Sequence, residues 1–186
     1  MATGTKPGLT PTHKTASGPE NQGLIEEEID VAFASDIGLG TIVRKDPADG
    51  TIVVGTSLDG EDALGVCRGV SYIRPSDGEP VEAKFYPASL NPTERAKIKI
   101  SADPGRSFLT RGNADVSAVF PGEIYAMEAS AINVATGHET ALVDIAGGTV
   151  AGNDSIDVEI VKVIDDTNDA EHRVLEVRLV RSELDR

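Results

Sequence analysis

The sequence predicts a mainly β fold, an antiparallel β-sandwich or barrel-like domain carrying an extended N-terminal arm. Three observations carry that expectation. Hydrophobic residues make up 39% of the 186-residue chain, yet aromatics only 4% and Trp none, so Val, Ile, Leu and Ala must build the core. Such β-branched content favours sheet. Apolar and polar residues alternate with a two-residue period in several runs, and clusters of Pro, Asp and Gly separate those runs. The length suits one compact domain, or one domain with an appendage.

The arm is taken first. In "MATGTKPGLTPTHKTASGPENQG", Leu9 is the one large aliphatic side chain before Leu24, and prolines stand at 7, 11 and 19. So polar a segment cannot bury enough apolar surface to offset the entropy of ordering it, and its prolines disfavour helix. It also lacks the apolar stretch of a secretory leader or a membrane span. Three acids follow at Glu26, Glu27 and Glu28, and the folded body is expected to begin at Ile29 in "IDVAFA". The expected division is therefore a flexible arm over 1–28 and an antiparallel β domain over 29–186.

Within the body, "LGTIVRKD" and "GTIVVGT" read as a hairpin turned at Asp46, Pro47, Asp49 and Gly50. A second hairpin is expected over 64–73 and 81–86, turned through Pro75, Asp77, Gly78 and Pro80. "SLNPTER" suits one helical turn. "AKIKIS" alternates Lys with Ile, as a strand with one wet face does. "GEIYAMEASAINVATG" suits a strand pair or a short helix, and its all-sheet surroundings favour strand. In "SIDVEIVKVIDD", Ile156, Val158, Ile160, Lys162 and Ile164 are expected on one face, with Asp157, Glu159, Val161 and Val163 on the other. "HRVLEVRLVR" alternates likewise, so the chain should close in an antiparallel hairpin.

Seventeen Lys plus Arg against 31 Asp plus Glu leave a formal charge of -14. Such a surface repels phosphate backbones and argues against nucleic acid as a partner. Cys67 is the sole cysteine, so no intrachain disulfide forms, and a lone thiol in a strand reads as a small core residue. "DIGLGTIV" has Gly38 and Gly40, but Val43 stands where a dinucleotide fingerprint needs Gly. The acidic loop "DDTND" fails the calcium template, because counting from Asp166 puts Glu171 at the glycine position. His138 beside Glu139 could serve as a base, although surface histidines are commonly inert. No catalytic, cofactor-binding or metal-binding residue is assigned from the sequence, and no cofactor is expected.

"GVCRGVSYIRPSDGEPVEAKFYPAS", followed by "ADPGRSFLTR", resembles the small decoration or cement proteins on the capsids of tailed bacteriophages. The resemblance lies in Gly65, Gly69 and Tyr72, then Gly78, then Phe85, Tyr86 and Pro87, then Asp103, Pro104 and Phe108. With "NVATGHE" and the closing hairpin it spans roughly 51–186. Phe85 stands where the family commonly has Tyr, and Ala102 replaces the first acid of an Asp pair. The resemblance implies a virion structural protein, made in the host cytoplasm and then bound to the outer capsid surface. It would act as a homotrimer bridging subunits of the major capsid protein, with no nucleic-acid or membrane partner. The arm would cross neighbouring coat subunits through Leu9, Pro11, Leu24 and Ile25, with Tyr86 contributing apolar area. A head-fibre or tail protein, or a soluble β-fold enzyme or ligand-binding domain, remains the alternative.

Overall fold

A computed structural model of the chain describes residues 9–11, 24–29, 36–55, 62–88, 96–103, 105–128, 132–133, 135–152, 154, 156–164 and 174–180. The fold is all β, and the described residues include no helix. The strands in chain order are β1 (Thr10–Pro11), β2 (Leu24–Ile29), β3 (Ile37–Gly38), β4 (Ile42–Lys45), β5 (Ile52–Val54), β6 (Gly65–Ile73), β7 (Pro80–Ala83) and β8 (Phe85–Tyr86). They continue with β9 (Ala96–Ser101), β10 (Ser107–Arg111), β11 (Ile124–Ala126), β12 (Ile132–Asn133), β13 (His138–Glu139), β14 (Asp157–Val163) and β15 (Val174–Leu179).

Five strands close into a barrel in the order β4-β5-β2-β9-β6, because β6 pairs back onto β4 through Ile42↔Val66 and Val43↔Gly65. The barrel is mixed rather than wholly antiparallel, since β2 meets β5 in parallel at Ile29↔Ile52. Both expected hairpins are present. β4 and β5 join through a turn in which Asp46 accepts from Ala48 N and Asp49 accepts from Thr51 N. β6 runs on past the barrel to pair with β7, across a turn closed by Arg74 N donating to Glu79 O.

A bulge between Cys67 and Gly69 in β6 keeps Cys67 and Val70 both inside, while Arg68 stays exposed. An extra residue in one strand shifts the side-chain alternation by one, so the inward set resumes after the bulge. Gly65 lies where β6 runs close against β9: a Cβ there would clash with Ser101 O. Ile29, Val43, Ile52, Cys67, Val70, Ile98 and Ile100 fill the interior. In "AKIKIS", Ala96, Ile98 and Ile100 are buried, whereas Lys97 and Lys99 point outward.

The second layer is a sheet in the order β1-β10-β15-β14-β11. Its inner face supplies Phe108, Leu175, Val177, Val158, Ile160 and Tyr125 to a separate cluster. Ile42, Ala63 and Val66, on the outer side of the barrel, pack into that same cluster. Its outer face carries cross-strand polar pairs, among them Ser107 with Glu176 and Arg178 with Glu159.

Three sequence expectations are corrected. The arm was expected to extend to 28, yet Leu24–Ile29 forms β2 and pairs along its whole length with β9. The acid run does not stand free. Lys97 on the adjoining β9 binds Glu26 at 3.0 Å and Lys45 on β4 binds Glu27 at 3.1 Å, so lysines of other strands make the run compatible with sheet. Residues 9–11 likewise belong to the body, with Leu9 buried and β1 paired to β10. Finally, the alternation expected in "SIDVEIVKVIDD" breaks at a bulge between Ile160 and Lys162. Beyond it Val163 packs on the core, and Lys162 and Ile164 are exposed. Asp157, expected on the wet face, is buried. The rest of the expected arm, residues 1–8 and 12–23, the helical turn expected in "SLNPTER" and the acidic loop over 165–169 lie outside the described residues.

Candidate functional site

Three of the residues that suggested chemistry, Cys67, His138 and Glu139, come together beside β6. The short β12–β13 hairpin, turned through Asn133 and Gly137, docks on the segment after β3: Leu39 N donates to Gly137 O, and Glu139 N donates to Leu39 O. Leu39 is followed by Gly40 and Thr41, which bond to β6 in both directions, Gly40 N to Cys67 O and Cys67 N to Thr41 O. Cys67, His138 and Glu139 thus occupy one neighbourhood despite their separation in sequence.

Its electrostatics argue against nucleophilic chemistry at the thiol. Burial pushes Cys67 up to about 12, outweighing a backbone contact with Gly69 and the charge of Arg68, which act the other way. A thiol in that state stays protonated near neutrality and is a poor nucleophile. Burial lowers the His138 pKa, and the positive charges of Lys84 and Arg68 lower it further. Glu139 is buried and its pKa is raised by desolvation. The Thr41 hydroxyl donates to its Oε2 at 2.7 Å while itself accepting from Gly38 N at 3.0 Å. The amides of Thr140 and Ala141 also favour the ionised form, without a regular hydrogen bond to Oε1. The carboxylate therefore acts as a clasp, tying β13 to the turn between β3 and β4.

No family model, curated protein or solved structure matches the chain.

The residues expected to touch a partner are distributed unevenly. Leu9 is 2% exposed inside the second-layer core, and Tyr86 is 0% exposed in the barrel, edge-on to Tyr72 with ring centroids 6.5 Å apart. In this arrangement both side chains pack within core clusters of the fold. Leu24 and Ile25 are half-buried on β2, and Pro11 lies in β1 opposite Phe108. The other residues carrying the family resemblance also build the fold. Phe108 is core, Gly78 takes a positive φ of 73° in the β6–β7 turn, and Asp103 accepts from Gly105 N in the β9–β10 turn.

Sequence reasoning missed Phe120, at 64% the most exposed aromatic among the described residues. It tips the turn "FPGE" before β11, and that turn is braced from the core outward. Tyr125 is buried, and its hydroxyl donates to Glu123 Oε2 at 3.0 Å. The same Oε2 accepts from Phe120 N at 2.8 Å, and Glu123 N donates to Phe120 O. Gly122 N donates to Ile160 O, and Ile160 N to Glu123 O, fixing the turn to β14 just before the exposed Val161 of its bulge. The discernible signal was a large aromatic directly before Pro-Gly: a turn residue has little core to reach.

Proposed function

We propose that the protein is a virion structural protein that binds the outer surface of an icosahedral phage capsid and stabilises the shell by bridging neighbouring coat subunits. The ordered motifs of the β6–β7 hairpin and the β9–β10 turn support this reading, as does the similarity of the closing hairpin to the family's later elements. The structural observation that carries it is Phe120 on its braced turn. A rigid exposed aromatic contributes contact area with little ordering cost, which is the character of an interface hot spot. On this reading the contact with the major capsid protein centres on Phe120, with Pro121 and Val161 beside it, and a homotrimer presents three such tips. Linked tips act by effective concentration, so modest single contacts suffice for tight attachment.

Cosedimentation with expanded empty shells of the encoding phage tests the proposal. The unaltered chain should pellet with shells and raise their rupture temperature. Phe120→Ser should melt like the parent yet bind at least about tenfold more weakly, since truncating a hot-spot aromatic costs about 2 kcal/mol or more. Failure of the unaltered chain to bind at saturating concentration would overturn the proposal.

A further inference from the structure

Among the described residues, strand β1 meets the body through the buried Leu9 side chain and the two register pairs Thr10↔Leu109 and Pro11↔Phe108. Residues 12–23, "THKTASGPENQG", join it to β2 and include no Val, Ile, Leu, Met, Phe or Tyr. Their side chains offer little apolar surface with which to fasten the connection to its own barrel. The ties described for β1 are with β10 and the core beneath it, and each copy of the chain offers those identically. Twelve extended residues reach about 40 Å. A body of this length has a radius of gyration of about 16 Å, so the connection can cross to an adjoining copy.

We propose that β1 is exchanged between copies: Leu9, Thr10 and Pro11 of one chain complete the β10 edge of the next. The exchanged arrangement keeps the same contacts as the closed one and differs only in the path of the connection. Once bodies are held side by side, the neighbour's β10 edge competes at a local concentration comparable with the chain's own. Exchange then links the copies by a strand that cannot leave without unseating Leu9. The inference rests on the oligomer proposed above, and it gives the N-terminal segment a second copy of this chain as its partner.

Two single variants decide the matter. Copies bearing Thr10→Cys are mixed with copies bearing Leu109→Cys, allowed to equilibrate and oxidised, and covalent pairs are read on a non-reducing gel. Register partners across an antiparallel pair lie within disulfide reach. The expected result is a cross-linked pair of one chain of each kind, absent when either variant is oxidised alone. The Thr10→Cys/Leu109→Cys double variant serves as the second measurement, with light scattering to report oligomeric state. An oligomer whose double variant links only within single chains, with no mixed pairs, overturns exchange and leaves the oligomer standing. A monomer with only intrachain links overturns both. Absence of any link in both experiments also overturns exchange, because β1 then does not sit on β10.

Discussion

Replacing Leu9 with Ala tests whether the N-terminal segment belongs to the body. Leu9 is 2% exposed and shares a cluster with Phe108, Leu175 and Val177. Removing a buried leucine side chain costs about 2–5 kcal/mol where the surroundings cannot relax. Here the surroundings can relax, since β1 is a short edge strand, with two register pairs among the described residues, and can detach instead of enclosing a cavity. The expected loss therefore lies at the lower end, about 2 kcal/mol, or roughly 4–8 °C in Tm for a chain of this size. The loss also has a ceiling: it cannot exceed that of removing residues 1–11. Urea and thermal melts of the parent, Leu9→Ala and the truncated chain check both statements. A Leu9→Ala variant within about 0.5 kcal/mol of the parent, the range of ordinary surface changes, would refute the reasoning. So would a Leu9→Ala loss clearly larger than that of the truncation.

Glu139→Gln should stabilise the protein above neutral pH, with the advantage shrinking as acid is added. A carboxyl whose pKa is raised on folding binds its proton more tightly in the native state. Its stabilising share is complete below the unfolded value and is lost as pH rises through the folded one. Melts from pH 4 to 8 should show a slope in the parent that the variant lacks, and equal loss of stability at every pH would contradict the assignment. Cys67, with its thiol pushed up to about 12 by burial, should resist a disulfide reagent at pH 8 in the native protein and react as urea unfolds it. Rapid native labelling would show that the barrel interior is open to solvent.

Much of the fold was legible because its strands alternate locally. "AKIKIS" and "HRVLEVRLVR" place apolar side chains on one face with no information from elsewhere, and the structure buries Ile98, Ile100, Leu175 and Val177. What escaped depended on distant partners. Glu26 and Glu27 fell within the expected arm because Lys97 and Lys45, which pair with them, lie on other strands. The bulge in β14 was hidden because Val161, Val163 and Ile164 suit either face equally, so composition could not report the shift in period. Leu9 was expected to anchor the arm on a coat subunit because nothing in its local sequence points to β10, whose edge beside a core receives it. Among site residues, Cys67 was read correctly as core. Phe120 was passed over because exposure depends on where a turn points.

The side chains of Ile42, Ala63 and Val66 leave the barrel wall and complete the neighbouring layer's interior, while Val43, Leu64 and Cys67 beside them face inward. One stretch of wall thus serves two rooms. Neither half can be cut away cleanly: a fragment ending before β10 would display a greasy outer wall, and one lacking the barrel would miss part of its floor. Melting should accordingly be a single event for both layers, and insertions are better tolerated at outlying turns such as 74–79 than along that common partition.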